Sequence, residues 1–340
     1  MKVAVLGGGN AAHAMAADLA LSGHEVNMCE LPQFADNIAA VKMLNGIQLT
    51  GKTAVAKEPG FAKLNLVTTD PAEAIKGVKV IMIAVPSFGQ MAFLELFASA
   101  LEDGQIIVLN PGYFGVLRYV KYLRDKGIDK DVIVVESECL VYATRLKGPA
   151  KAWIKAVKEK VGVATLPVSR MKEALPVLNE LYPQFYAMEN VFYTSLNNLN
   201  YIFHPASTLL NASRIEQMGP YKNQYYDVTP SIARVMTQID NEKNEIAKAL
   251  GLKPITAVEI LKRYYGATGK DLYEALRNTY TYSIQTAPDS LKARYVSEDV
   301  PFGLVPMASL AKQLGTNNKA LCTIIALASL LNDTDYWETG

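Results

Sequence analysis

Three cysteines and three histidines are all that this chain of 340 residues contains. The cysteines, Cys29, Cys139 and Cys322, lie far apart in the sequence. They make neither a disulfide framework nor a zinc-ligand spacing, so no metal is expected and a reduced, cytoplasmic setting fits best. Net charge is nearly absent as well: 34 Lys and Arg stand against 33 Asp and Glu, a formal +1. Without a basic field, nucleic acid and anionic membrane surfaces are disfavoured as partners. No apolar run reaches the roughly 18 residues that suggest a membrane span. "TIIALASLL" near the C-terminus is too short and reads as a buried helix. The opening "VAVLGGG" is broken by glycine and lacks the layout of a secretory signal. Repeats, low-complexity tracts and Gly/Ser linkers are missing too. The length suits about two domains.

What is present falls into two halves. "KVAVLG", "HEVNMCE", "VKVIMIAVP", "QIIVLNPG", "DVIVVES" and "VGVATLP" are short β-rich runs. Helical stretches such as "QMAFLELFASALEDG" and "VLRYVKYLRDKG" separate them. Strands alternating with helices imply a doubly wound parallel sheet of the Rossmann type. After about Pro183 the β pattern stops, and windows such as "TPSIARVMTQIDNEKNEIAKALG", "KDLYEALRNTYTYSIQ" and "NKALCTIIALASLLND" read as helices. The expected fold is therefore α/β plus all-α. Residues 1–183 form the dinucleotide-binding part, and residues 184–340 a helical substrate and catalytic domain.

The first strand runs into Gly7, Gly9 and Ala12, a G-x-G-x-x-A spacing that encloses Asn10 and Ala11. Gly7 permits a tight turn, Gly9 lets a pyrophosphate approach the backbone, and Ala12 lets the helix pack closely on the strand. The helix start then offers free N–H groups and a positive dipole end to phosphates. Glu30 closes the second strand about twenty residues on, where an acid binds ribose hydroxyls and repels a 2′-phosphate. NAD is therefore expected in preference to NADP; the bland alternative for Glu30 is a solvated strand end. His13 either faces the phosphates or packs inside the helix. Val85, Pro86 and Ser87 follow one strand, and Asn110 and Gly112 another. These strand ends are where open α/β sheets hold ligands, so the five residues are candidates for the nicotinamide side.

Hydride transfer to a C=O or C=N bond needs a proton donor at the reacting centre. Dehydrogenases of the 6-phosphogluconate, glycerol-3-phosphate and ketopantoate types commonly place a lysine near the start of the helical half. No lysine occurs here between Lys172 and Lys222, and the ionisable candidate is His204 in "NNLNYIFHP". The segments "GGGNAAHAMAADLALSGHEV", "SLNNLNYIFHPASTLLNA", "YDVTPSIARVMTQIDNEKNEIAKALG" and "LKARYVSEDVPFGLVPMASLA" span most of the chain. Through them the chain resembles the NAD(P)-dependent opine dehydrogenases of the octopine/nopaline type. The resemblance implies reductive condensation of an amino acid with a 2-oxo acid such as pyruvate. It implies a catalytic histidine at His204, an acidic partner at Asp299 and a substrate arginine at Arg294. It implies, more loosely, a substrate contact from Asn200 and a substrate or cofactor contact from Thr144 or Arg145 in "VYATR"; the tyrosine-rich "PYKNQYYD" and "RNTYTYS" either line the amine pocket or pack the helical core. The proline that the family often has before this tyrosine is missing, and Cys139 reads as a small buried residue.

These residue types suit the chemistry. An imidazole exchanges protons near neutrality, an aspartate fixes its tautomer, and a guanidinium holds a carboxylate bidentately. Two other readings stand beside this one. The first is a plain 2-oxo or 3-hydroxy acid reductase of the same architecture. The second is an NAD-binding sensor without turnover. The apolar segment "ALCTIIALASLL" packs internally or makes the face of a homodimer.

Overall fold

The computed structural model describes residues 1–218, 228–283 and 286–340. The chain divides into two compact units, Met1–Thr194 and Ser195–Gly340.

The first unit is built on an eight-stranded sheet. Its strands are β1 (Lys2–Leu6), β2 (Glu25–Cys29), β5 (Leu66–Thr68), β6 (Val80–Ile83), β7 (Ile106–Leu109), β8 (Ile133–Ser137), β11 (Val161–Thr165) and β12 (Phe185–Ala187). Their order is β12-β11-β8-β7-β6-β1-β2-β5. From β8 to β5 every pairing is parallel, with Val3 opposite Val26 on one side of β1 and Val80 on the other. The runs VIMI and IIVL are buried at every position. Strands covered on both faces show such continuous apolar runs, not alternation. The sheet departs from the purely parallel expectation at β11, which lies antiparallel to β8 while β12 lies parallel to β11. Chain order runs outward from β1 in both directions, so the crevice for a ligand opens at the carboxyl ends of β1 and β6.

A second sheet was not expected from the sequence. It contains β3 (Gly46–Gly51), β4 (Phe61–Lys63), β9 (Tyr142–Gly148) and β10 (Lys151–Val157) in the order β4-β3-β10-β9. The helix Asn10–Leu21 packs against strands of both sheets, which explains its composition. Ala12, Ala14, Ala16 and Ala17 are all fully buried, and only small residues let two sheets approach one helix so closely.

That helix also buries a charge. Asp18 is 0% exposed, and its carboxylate accepts hydrogen bonds from the backbone N–H groups of Ala54 (3.0 Å), Val55 (3.3 Å) and Ala56 (3.0 Å). The Tyr142 hydroxyl of β9 donates to it at 2.7 Å and pairs with the Tyr182 hydroxyl at 2.9 Å. Burial pushes both phenols well above their ordinary range, and the neighbouring Asp18 charge adds to this.

The second unit is helical. The helix Pro230–Ala249 starts under a Thr229 cap whose hydroxyl accepts from the Ile232 N–H at 3.3 Å. It buries Ile232, Met236, Ile239 and Ile246. Its Glu242 carboxylate accepts from the N–H groups of Ala320 (2.7 Å) and Leu321 (2.9 Å), satisfying two open donors at the start of the helix Lys319–Asn332. "KDLYEALRNTYTYSIQ" holds two short helices, Leu272–Asn278 and Tyr280–Ser283, where one was expected. The helix Asn200–Leu209 packs against Pro230–Ala249, Lys319–Asn332 and the short helix Arg294–Ser297. Every residue from Tyr201 to Leu209 is buried, the polar His204, Ser207 and Thr208 included.

Candidate active site

In the first unit the glycine turn has the shape of a dinucleotide cradle. Gly7 has φ +126°, and a Cβ there would stand 2.7 Å from the Ala84 carbonyl oxygen and 2.8 Å from Val85 Cγ1. No side chain fits, because the end of β1 is pressed against the end of β6. Gly9 is the opposite case. It has φ −86°, an ordinary conformation, and a Cβ there would meet nothing within 4 Å. The space beside Gly9 is open, and the helix it begins has no side-chain cap, so its first N–H groups are available to a phosphate. A Cβ on Gly8 would lie 2.7 Å from Glu30 Oε2, so the acid borders the glycine turn. Glu30 is buried, and its Oε1 accepts from the Leu31 N–H at 2.8 Å. The solvated-strand-end alternative therefore falls away. These residues fit a dinucleotide without a 2′-phosphate.

Gly9→Ala tests this cradle without disturbing the fold. The melting temperature is expected to stay within a degree or two, because the new methyl occupies open space. The NADH dissociation constant, measured by fluorescence titration, is expected to rise at least about tenfold, roughly 1.4 kcal/mol. Gly7→Ala should instead destabilise the protein, since it meets backbone at positive φ.

His13 sits one turn into the helix, 1% exposed, with Nδ1–H donating to the Gly9 carbonyl at 3.1 Å. Burial lowers its pKa below the ordinary 6.5, and the backbone bonds to Gly9 and Gly8 oppose this only in part. It is a packed residue that braces the turn. Asn10 Oδ1 accepts from the Leu146 N–H at 2.6 Å and ties the helix start to β9.

The other candidates of this unit are spread more widely. Val85, Pro86 and Ser87 follow β6, with Val85 against Gly7 and Ser87 fully buried. Asn110 is turned into the sheet: its Nδ2 donates to the Val108 carbonyl at 3.0 Å and its Oδ1 accepts from Ser137 Oγ at 3.1 Å. A Cβ on Gly112 would stand 2.3 Å from Glu136 Cβ, so its small size serves close packing. Thr144 donates its hydroxyl to the Trp153 carbonyl at 2.9 Å, inside the second sheet, and Arg145 donates to the Thr144 carbonyl at 3.1 Å. Cys139 is buried. Among the described residues no group of three or more His, Cys, Asp or Glu is placed to hold a metal ion.

In the second unit the structure brings together two residues far apart in sequence. His204 Nδ1 lies 2.8 Å from Asp299 Oδ2. Asp299 is 0% exposed and His204 7%. Among the described residues this is the one side-chain hydrogen bond of the imidazole, which leaves Nε2 as the atom able to exchange a proton. Pro205 follows directly and removes one N–H from the helical ladder. Asp299 ends the stretch that begins with the helix Arg294–Ser297, and a π-helical turn, Val300–Leu304, follows it. In that turn the Val305 N–H bonds to the Val300 carbonyl, five residues back. Arg294 Nη1 donates to Glu298 Oε2 at 3.1 Å; Glu298 is nearly fully buried, while the Arg294 side chain is half exposed. Asn200 lies one helical turn before His204, on the same face. Nearby, Asn197 Nδ2, Asn198 Nδ2 and Thr208 Oγ1 are buried without a hydrogen-bond partner. The segment "PYKNQYYD", residues 220–227, lies outside the described residues.

The comparison with known proteins gives this arrangement its family. An opine dehydrogenase of Arthrobacter sp. (strain 1C) is 34% identical over 341 residues, covering 99% of this chain and 92% of that protein. The chain belongs to the opine dehydrogenase family. Family membership makes it an NAD(H)-linked oxidoreductase acting on CH–NH bonds. Residues 187–332 match the model described as the NAD/NADP octopine/nopaline dehydrogenase alpha-helical domain. Residues 2–112 match the N-terminus of NAD-dependent glycerol-3-phosphate dehydrogenase. Two solved opine dehydrogenase structures share the fold at 22% identity. Octopine dehydrogenase in complex with NADH and agmatine has a TM-score of 0.78, covering 97% of this chain and 89% of that one. Octopine dehydrogenase with NADH and pyruvate has a TM-score of 0.73, covering 97% and 88%.

Sequence reasoning missed three residues that the structure makes prominent: Asp18, Tyr295 and Glu298. Asp18 had a signal, a lone acid inside "AAHAMAADLALSG", where no solvated face exists for it. The other two stand in "RYVSED" between Arg294 and Asp299, and only the fold shows what they touch.

Proposed function

We propose that the protein condenses the amine of an amino acid with a 2-oxo acid, of which pyruvate is the first candidate, and reduces the product to a secondary-amine dicarboxylate. The observation that carries this reading is the buried His204–Asp299 pair. Residues 1–183 serve the dinucleotide through Gly7, Gly9, Glu30 and the ends of β1 and β6, and NAD is favoured over NADP because Glu30 repels a 2′-phosphate. Residues 184–340 serve the substrates.

The chain's own groups divide the work as follows. The amine adds to the carbonyl carbon of the 2-oxo acid and gives a carbinolamine. His204 Nε2–H donates a proton to the carbinolamine oxygen, which departs as water and leaves the iminium, the imine with its nitrogen still protonated, so that hydride alone completes the secondary amine. A dinucleotide held at Gly7, Gly9 and Glu30 would, as NADH, supply the hydride for this reduction. In the reverse direction hydride leaves the neutral secondary amine to give the iminium, and neutral His204 takes the proton of the water that adds to it. Asp299 accepts from Nδ1–H, fixes the tautomer and steadies the imidazolium. Arg294 holds a substrate carboxylate with its planar fork, which Glu298 orients. The buried, unpartnered donors of Asn197, Asn198 and Thr208 suit a substrate rich in carboxylate oxygens, since a buried donor without a partner costs about 1–3 kcal/mol. Asn200, one helical turn before His204, is the further substrate contact we assign, whereas the Thr144 hydroxyl is committed to the Trp153 carbonyl.

The test follows NADH absorbance with pyruvate, alone and with a mixture of amino acids, and repeats it with NADPH. Oxidation only when oxo acid and amine are both present is the expected result. Oxidation with pyruvate alone would make the protein a plain oxo-acid reductase. Tight NADH binding with no oxidation under any of these conditions would favour a sensor.

A further inference from the structure

Asp299 holds one edge of the His204 imidazole, but one hydrogen bond leaves a ring free to tilt about it. The missing constraint is in the structure. The Tyr295 ring lies flat on the imidazole, with centroids 3.8 Å apart and planes 4° from parallel. Tyr295 is only 6% exposed, so this stack is shielded from water. The same ring takes the Arg294 guanidinium, whose Cζ stands 5.6 Å from the ring centroid. Arg294 is in turn tied to Glu298, and the short helix Arg294–Ser297 packs on the His204 helix.

We propose that Tyr295 is a positioning residue of this active site, one aromatic plate that fixes the tilt of the His204 imidazole and the seat of the Arg294 guanidinium together. The proposal rests on the reading of His204 as the acid–base group. Asp299 fixes the imidazole within its plane, since a hydrogen bond to Nδ1 sets the rotation of the ring. The stack fixes the plane itself. Together they aim Nε2 in a single direction. An imidazolium and a guanidinium are both drawn to the face of an aromatic ring. The plate therefore places the proton donor and the carboxylate clamp at a set separation. The ring does this work, not its hydroxyl.

The experiment compares Tyr295→Phe, Tyr295→Leu and His204→Ala in the full-length protein, with NADH, pyruvate and the amino acid identified by the assay above. Melting temperature and NADH dissociation constant are measured for each. Tyr295→Phe keeps the plate, and its kcat is expected within about twofold of the parent. Tyr295→Leu keeps the bulk and loses the plate. Its kcat is expected to fall about 10–100-fold, with the NADH dissociation constant unchanged. Its pyruvate KM is expected to rise only a few-fold, because Glu298 still holds Arg294. Tyr295→Met fills the same space more flexibly and replaces Leu should that variant fail to fold. A folded Leu or Met variant with parental kcat overturns the proposal. So does a Phe variant as impaired as Leu, which would assign the role to the hydroxyl. Parental turnover in His204→Ala would instead sink the acid–base reading beneath it.

Discussion

His204→Ala is expected to lower kcat for reductive condensation by about 10²–10⁴-fold, the usual contribution of a positioned acid–base group. The NADH dissociation constant should be unchanged, because the change leaves Gly7, Gly9 and Glu30, the residues proposed to hold the dinucleotide, as they are. The loss should fall on kcat more than on KM, since a proton transferred only during reaction contributes nothing to ground-state binding. His204→Gln makes the sharper comparison. It retains a polar group of similar reach but cannot cycle a proton, so it should be nearly as slow as Ala. Asp299→Asn should fall between parent and Ala: it keeps an acceptor for Nδ1–H but loses the charge that steadies the imidazolium. Steady-state rates of all three in both directions check the set. A His204→Gln variant with parental kcat would remove the imidazole from the mechanism.

Asp18→Ala is expected to be the most destabilising single change in the first unit, by about 3–5 kcal/mol. One side chain satisfies three backbone N–H groups and the Tyr142 hydroxyl. The Ala56 N–H and the Tyr142 hydroxyl are buried, and each loses a charged acceptor, at about 1–3 kcal/mol apiece. The Ala54 and Val55 groups are less enclosed and can turn to water. For a unit of this size the loss corresponds to a melting temperature lower by about 10 °C. Tyr142→Phe removes a single donor and should cost less, about 1–2 kcal/mol. Calorimetry of the two variants measures the difference. If Asp18→Ala melts within 2 °C of the parent, the carboxylate is dispensable to the packing of the helix on the second sheet.

The parallel sheet was legible because burial on both faces writes itself into sequence. VAVL, VIMI and IIVL have no polar side to confuse the pattern. The glycine turn was legible for a steric reason: Gly7 has no room for a Cβ, and Gly9 has empty space that a ligand needs. The second sheet left no such trace. Its β9 and β10 are interrupted by Arg145, Lys147, Lys151 and Lys155, and their buried residues, Tyr142 and Thr144 in one and Ala152 and Ile154 in the other, are too few to show a period of two. At three residues, Phe185–Ala187 is too short to signal a strand at all. In the helical half, His204 and Asp299 could be named from motifs, but their meeting at 2.8 Å depends on how Asn200–Leu209 packs on the Arg294 segment. Asn110 and Gly112 occupy the strand end expected of them, yet their side-chain geometry is given over to Ser137 and Glu136.

The π-helical turn behind Asp299 makes the site depend on counting as well as on chemistry. Each residue of an α-helix advances the chain by about 100° around its axis. The Val300–Leu304 turn accommodates one residue more than an α-helical turn, seen in the five-residue bond from Val305 to Val300. The helix Val305–Leu314 buries Val305, Met307, Ala308 and Ala311, which fixes its rotation. Viewed from that anchored helix, the angular position of Asp299 is set by the length of the wide turn. Shortening Val300–Leu304 by one residue would restore an ordinary helix and swing the carboxylate about a quarter-turn from the imidazole, with every reactive side chain still in the sequence. The His204–Asp299 contact is thus encoded partly as a spacing, and a one-residue gap there would break it as surely as a substitution of the histidine itself.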